Sequence, residues 1–450
     1  MYNLFLMIYP LGVRIASLWN DKASLWVKGR KNIFETIKSS LATYNIQHST
    51  TNPKPKTQNP KLQTTNAKTI WMHCASLGEF EQGRPLIEKI RSEYPGYGIV
   101  ITFFSPSGYE IEKNYKGADH VFYLPADSAS NAKKFIELIN PKLVLWIKYE
   151  YWHYYLHELK KKNIPTVLVS GYFRKDQRFF KWHGKFWRDM LTCFTYYFLQ
   201  NEESKNLLEN INIKNVMVSG DTRFDRVKTV AENFTDVPYI KEFCGESKVF
   251  VAGSTWEDDE AEMIHYAKAN SHIKFIIAPH EVDKENIRDV KKKFANSILY
   301  SELLNVKGEM SNVKTETPSH VSRLTFHGNC LIIDCIGILS RLYKYADITY
   351  VGGGFGYDGL HNILEAAVYG KPVIFGPEFE RNFEAQELTE CGGGITIDNA
   401  LDLEKIVTHL FNNEEELKQN GTAAKNYVYS NAGATKKIME YIQEKRLLTN

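Results

Sequence analysis

The feature that most constrains this chain is an alternation that runs twice. Between residues 69 and 220 lie the apolar runs TIWMHCA, GIVITFF, HVFYLP, KLVLWIKY, TVLVSGY and NVMVSG, separated by helix-patterned segments such as FEQGRPLIEKIRSEY. A strand with one wet face alternates apolar and polar residues, whereas a run apolar throughout is covered on both faces. Helical crossovers between such runs make the strands parallel, so a doubly wound α/β domain is predicted. After Pro238 the pattern restarts with KVFVAGS, KFIIAPH, NCLIIDC, ITYVGGG, KPVIFGP and GITI, and from Leu401 the tail is helical. A chain of 450 residues is long enough for two such domains, each with its own core. The expected division is 69–235 and 236–450, Rossmann-like in both halves, with ligands in a cleft at the carboxyl ends of the two sheets.

The remaining segments lie before residue 69. Residues 1–19, MYNLFLMIYPLGVRIASLW, are largely apolar but interrupted by Pro10 and Arg14, and Lys22, Lys28, Arg30 and Lys31 follow. This predicts an N-terminal membrane anchor with a basic flank over 1–31, spanning once or lying in the interface, with the body on the cytoplasmic side. An amphipathic helix packed on the protein itself is the alternative. No basic region precedes the apolar stretch and no small-residue cleavage site follows it, which argues against a secretory signal. Residues 32–68 are expected to be a polar linker, since 46–68 is rich in Pro, Asn, Thr, Gln and Lys. A formal net charge of +3 does not point to nucleic acid. The six cysteines form no CxxC pair and no metal spacing, so buried free thiols are expected.

Four motifs carry candidate chemistry. In GGGFGYDGLHNILEAAVYGKPVIFGP (352–377), Gly352, Gly353, Gly354, Gly356 and Gly359 let the backbone approach a ligand. A helix starting near His361 would turn its N–H groups toward a nucleotide phosphate, with Glu365 placed for ribose hydroxyls; a tight turn capped by His361 or Asn362 is the other reading. In CASLGEFEQGRP (74–85), Ser76 and Glu79 fit a capping box, while Glu79 at a strand's carboxyl end also fits a general base, with Gly78 leaving room beside it. In VSGDTRFDRV (218–227), Arg223 suits a leaving phosphate, or forms a surface cluster with Asp221 and Asp225. In YFRKDQRFFKWHGKFWR (172–188), Arg174, Lys175, Arg178, Lys181, Lys185 and Arg188 accompany Phe179, Trp182 and Phe186. That pattern predicts a basic, aromatic, amphipathic helix for an anionic lipid surface or a phosphorylated acceptor, against a core-packed helix with a charged face. Gly253-Ser254-Thr255, Ala278-Pro279-His280-Glu281 and Asp334-Cys335-Ile336-Gly337 end strands of the second half, as nucleotide contacts or as turns.

Taken in order, Ser76–Glu79, LPAD at 124–127, GDTRFD at 220–225, GST at 253–255, APH at 278–280 and GLHNILE at 359–365 resemble the bacterial 3-deoxy-D-manno-octulosonic acid (Kdo) transferases. The resemblance runs to about residue 430 and leaves out the linker. It implies a GT-B glycosyltransferase that inverts configuration and takes CMP-Kdo as donor; no cofactor or metal is expected, because a helix dipole and cationic side chains can neutralise the leaving phosphate. It further implies a lipid A precursor (lipid IVA) as acceptor, at the cytoplasmic face of the bacterial inner membrane. Glu79 then matches the catalytic base, with Glu150 and Arg223 beside it and Ser76 and Gly78 on the acceptor side. The nucleotide would meet Ser254, Thr255, Pro279, His280, Ile336, Gly337, Ile338, Gly353, Gly354, Asn362, Ile363, Leu364 and Glu365. The chain departs from the family at Arg223, usually Lys; at Lys148-Tyr149-Glu150, where only the second of two glutamates remains; at His280, usually Arg; and at Ile338, usually Glu. Other readings that share the fold are a GT-B enzyme using a UDP-sugar, a nucleotide-sugar epimerase and a non-catalytic, membrane-tethered nucleotide-binding module.

Overall fold

The computed structural model describes residues 2–49, 68–148, 150–311, 328–356, 359–380 and 382–449, without the side chains of 43–49 and 306–311. Its strands build two seven-stranded sheets. The first comprises β1 (Thr69–Cys74), β2 (Gly98–Phe103), β3 (His120–Tyr123), β4 (Pro141–Ile147), β5 (Thr166–Gly171), β6 (Tyr196–Leu199) and β7 (Val216–Val218), in the order β3-β2-β1-β4-β5-β6-β7. The second comprises β8 (Val249–Thr255), β9 (Lys274–Pro279), β10 (Ser297–Leu299), β11 (Cys330–Ile332), β12 (Ile348–Val351), β13 (Val373–Phe375) and β14 (Gly394–Thr396), in the order β10-β11-β9-β8-β12-β13-β14. The pairings within both sheets are parallel. The central strands are buried along nearly their whole length, as their unbroken apolar character requires. In each sheet the order reverses at one place, between β1 and β4 and between β8 and β12. A crevice opens at the carboxyl ends of strands at such a point, and ligands bind there.

The chain divides into two compact units, one of residues 1–226 with 433–450 and one of residues 227–432. The tail therefore does not stay with the second half. Helix Ala434–Glu444 buries Ile438, Met439 and Ile442 in the same core as Ile70, Met72 and Leu145, and Tyr441 stacks on Tyr196 at 4.1 Å. Asp225 accepts hydrogen bonds from the N–H groups of Gly433 and Thr435, at 2.5 and 2.6 Å, and so caps the returning helix. Its place in a surface cluster with Asp221 and Arg223 is thereby corrected.

The N-terminal region differs from its sequence reading as well. Among the described residues no helix is long and apolar enough to cross a membrane; the first helix, Tyr2–Ala16, has 15 residues with Pro10 inside it. Helix Asp21–Arg30 is not simply a basic flank. The buried Arg30 guanidinium donates to the carbonyls of Leu124 and Phe104 at 2.9 and 2.7 Å and lies over the Trp26 ring at 4.0 Å. Residues 33–49 form a helix whose Ile33 and Ile37 join the core of the first unit, because these apolar residues recur at helical spacing. The rest of the expected linker, 50–67, lies outside the described residues.

Residues 172–188 are not one amphipathic helix. After β5 the chain forms a 3₁₀ turn at Arg178–Phe180 and then the helix Lys185–Leu191. Phe179 turns inward against Tyr151, Phe173 and Trp187. Arg188 donates to the carbonyls of Phe179 and Lys181, at 2.9 and 2.8 Å, which holds the loop instead of facing a ligand. Arg178 lies over the Trp187 ring and Arg174 pairs with Asp176. Tertiary aromatic packing overrides the local helical period here.

Candidate active site and nucleotide site

In the first unit, the candidate residues gather at the β1/β4 reversal. β1 ends at Cys74, and helix Leu77–Glu93 begins after Ser76. Ser76 makes no side-chain cap hydrogen bond, while the buried Glu79 carboxylate accepts the N–H of Ala75. This is not a full capping box, and Glu79 is held at the end of β1 by its own carboxylate. Gly78 is exposed beside it, with open space where a side chain would stand.

β4 delivers Lys148 to the same level. His73 pairs with Trp146 and Ile147 with Val169, so Lys148 stands opposite Ala75 on one side and Ser170 on the other. Lys148 and Ser170 both have left-handed backbone, φ 60° and 52°. Such conformations cost energy and concentrate at functional sites. Ser170 Oγ lies 3.0 Å from Thr222 Oγ1, fixing the start of helix Thr222–Glu232 beside the end of β5.

Asp221 is the hub of this corner. Its buried carboxylate accepts from Gln82 Nε2 (2.9 Å), Gln200 Nε2 (2.7 Å), and the N–H (2.8 Å), Nε (2.9 Å) and Nη2 (2.8 Å) of Arg223. Burial pushes its carboxyl up, but the charges of Arg223 and then Lys148, with the hydrogen bonds from Arg223, outweigh that and leave it below the ordinary value. Arg223 is thus a partly buried cation aimed by a carboxylate, not a surface charge.

Glu150 is held by donors from two elements. Trp152 Nε1 donates to its Oε2 at 2.9 Å, and Nε2 of the fully buried His73 lies 3.4 Å from the same oxygen. Thr102 Oγ1 accepts from Trp71 Nε1 at 2.8 Å and lies 3.0 Å from His73 Nδ1. A Thr102 hydroxyl donating to Nδ1 leaves the His73 proton on Nε2, where it donates to Glu150. Tyr149 lies outside the described residues. The LPAD motif acts structurally. Its Asp127 accepts the N–H groups of Tyr154 and Tyr155, capping helix His153–Lys161, and the Tyr2 hydroxyl at 2.5 Å.

In the second unit the candidate nucleotide residues end β8, β9 and β12 and the loop after β11. Ser254 sits in a bulge, with φ 52° and a register shift between Gly253 and Thr255, which turns it out of the sheet. Thr255 faces inward and donates to the buried Glu260 at 3.2 Å. The glycine loop serves its own packing first. A side chain on Gly352 would meet the Ser254 carbonyl at 2.3 Å, and one on Gly354 would meet the Gly376 nitrogen at 2.6 Å. Gly353 N donates to Asp259, whose carboxylate also accepts from Trp256 N and from the Tyr350 hydroxyl. The helix after this loop is shorter than expected, Leu364–Ala367: Gly370, with φ 71°, and Pro372 follow its end, while at its start Asn362 Oδ1 accepts Leu364 N and Asn362 Nδ2 donates to Glu365 at 3.1 Å. One turn carries little dipole, and the Glu365 carboxylate is already engaged by Asn362. Ile363 and Leu364 are buried in the core, and Pro279 is buried at the end of β9. Ile336 and Gly337 are exposed, Ile338 is half-buried, and the neighbouring Asp334 is taken up by Ser301.

A stack of three rings escaped the sequence reading. Trp256 lies 4.6 Å from His280, and His280 lies 4.4 Å from His361; Trp256 Nε1 donates to His361 Nε2 at 3.0 Å. Lys148 and Asp221 also went unassigned. A lysine closing the apolar run KLVLWIK was the available signal for the first. Of the cysteines, Cys335 and Cys391 are exposed, against expectation, and the other four are buried. Among the described residues, no group of three or more His, Cys, Asp or Glu is arranged to hold a metal ion.

The family description of 3-deoxy-D-manno-octulosonic-acid transferase (kdotransferase) matches residues 46–226, the stretch that holds Glu79, Glu150 and Arg223. This match and the relatives that follow support the Kdo transferase family for this chain. The chain is 27% identical over 396 residues to the 3-deoxy-D-manno-octulosonic acid transferase of Haemophilus influenzae, covering 83% of this chain and 86% of that protein. It is 28% identical over 364 residues to a bifunctional glycosyltransferase/methyltransferase of Fusobacterium nucleatum, covering 76% of this chain and 52% of that protein, about half its length. Among solved structures it resembles UDP-GlcNAc 2-epimerase from Neisseria meningitidis bound to UDP-GlcNAc, with TM-score 0.59 and 17% identity over 84% of this chain and 100% of that one. That likeness bears on fold alone. The two parallel-sheet units are GT-B-like.

Proposed function

We propose that this protein is an inverting glycosyltransferase that moves Kdo from CMP-Kdo to a lipid A precursor, lipid IVA, in lipopolysaccharide biosynthesis. The observation that carries the reading is Glu79, a buried carboxylate at the β1/β4 reversal with Lys148 and the Asp221–Arg223 pair around it. In the proposed reaction Glu79 takes the proton of an acceptor hydroxyl. The acceptor oxygen bonds to the anomeric carbon of Kdo while the bond from that carbon to the phosphate oxygen breaks, and CMP leaves. Arg223 is suited to the developing phosphate charge. The nucleotide is assigned to Ser254, His280, Gly337 and Asn362 in the second unit. Calorimetry with CMP, UDP and ADP tests the donor class: CMP should bind the most tightly, and a preference for UDP would overturn the Kdo reading in favour of a UDP-sugar enzyme.

The membrane part of the proposal is interfacial. It is supported by the first helix, which leaves Leu4, Met7, Ile8, Leu11 and Ile15 exposed while Tyr2 ties its start to Asp127. Trp182, 92% exposed, lies beside Lys181 in the loop that leads to Lys185 at the start of helix Lys185–Leu191, and Phe186 meets the Tyr2 ring at 5.3 Å. An apolar face beside cations suits a surface of anionic lipid. Reversing Lys181 and Lys185 to Glu, with Arg188 left to hold the loop, should weaken binding to anionic vesicles by at least about tenfold, since each basic residue contributes roughly 1 kcal/mol. The affinity for CMP should stay the same. Unchanged vesicle binding would remove this loop from the membrane surface.

A further inference from the structure

Resting on the proposed role of Glu79, we infer that Lys148 is the positioning residue for that base: its ammonium keeps the Glu79 carboxylate ionised at the end of β1. The register sets the arrangement. Lys148 is level with Ala75, whose N–H donates to Glu79, and with Ser170, whose hydroxyl meets Thr222 next to Asp221. A left-handed backbone at φ 60° turns the residue at the strand end, and its N–H still donates to the Val169 carbonyl at 3.1 Å. A lysine held in that conformation is unfavourable by itself, so the surrounding structure must impose it.

Among the described residues, the charged groups that act on Lys148 are Arg223 and Asp221 at the start of helix Thr222–Glu232 and Glu79 on helix Leu77–Glu93; Glu150 follows two residues on in the chain. Asp221 already serves Arg223, Gln82 and Gln200, and Glu79 is the other carboxylate whose charge acts on the Lys148 amine. Burial and then the Arg223 charge push that amine down, Asp221 and Glu79 oppose the fall, and together they leave it at about 8. The ammonium is therefore present at neutral pH and lost as pH rises through about 8.

Two measurements test this. In the pH profile of Kdo transfer, the acid limb of kcat reports the Glu79 carboxyl. Lys148→Met should raise that limb by about 1–3 pH units, because Glu79 loses an opposite charge, while the donor KM is unchanged. Lys148→Arg, charged at every working pH, should leave the acid limb close to the parent's. A Lys148→Met profile that superimposes on the parent's would overturn the inference. Independently of turnover, the pH dependence of Lys148 acylation, followed by mass spectrometry, reads the amine itself in the parent and in Glu79→Gln. Removal of the carboxylate charge should move the amine midpoint downward, and an unmoved midpoint shows that the two groups are uncoupled and defeats the inference. A parent with no Kdo transfer but a coupled amine would defeat the proposed reaction and leave the coupling standing.

Discussion

Replacing Glu79 by Gln should lower kcat for Kdo transfer by about 10²–10⁴-fold with little change in CMP affinity. That is the range for loss of a general base, and it corresponds to roughly 3–5 kcal/mol of transition-state stabilisation. The amide keeps the size of the carboxylate and an oxygen able to accept from Ala75 N–H, so the helix start at Leu77 should survive. It has no proton affinity for an acceptor hydroxyl. The structural alternative gives the opposite pattern. If Glu79 only satisfies a backbone N–H, Glu79→Gln turns over normally and Glu79→Ala loses about 0.5–2 kcal/mol of stability, the usual value of a helix cap. Transfer of labelled Kdo, set beside thermal unfolding of both variants, separates the two outcomes.

The second large effect is expected at Asp221. Its carboxylate joins Gln82 of helix Leu77–Glu93, Gln200 after β6 and Arg223 at the start of helix Thr222–Glu232. Asp221→Ala leaves a partly buried guanidinium and two amides without their acceptor, beside Lys148. Breaking one side of a buried pair costs about 3–5 kcal/mol, a large share of the roughly 5–15 kcal/mol that holds a domain folded. The pH dependence has a definite sign. Asp221's carboxyl lies lower in the folded chain than when unfolded, so its stabilisation is fully present above the ordinary carboxylate range. It is lost as pH falls through that range and then through the lower folded value. Denaturant titrations from neutral to acid pH should show a steeper loss for the parent than for Asp221→Asn, which lacks the titrating group. Parallel pH curves for the two would mean that the ion pair with Arg223 contributes nothing net.

The sequence by itself determined the two parallel sheets, because strands buried on both faces must be apolar along their whole length and the crossovers between them must be helical. It also determined which segments end strands, and so placed Glu79, Arg223 and Ser254 near the carboxyl ends of strands. Local pattern misled where distant packing took over. Residues 172–188 carry charges and rings at helical spacing, yet Phe179 is drawn into the core and the chain turns. The glycines at 352 and 354 read as room for a phosphate, while their neighbours are Ser254 and Gly376. The tail reads as part of the second half, but Ile438 and Ile442 find their apolar partners in the first. Only the tertiary structure decided the strand order, hence the two reversals, and with them the company that Glu79 keeps. Lys148, Asp221 and Gln200 are distant from Glu79 in sequence, and no periodicity within a segment encodes which strand will lie beside it. Pairing of remote strands is fixed by the burial of whole faces in the assembled core, a property that no local window contains.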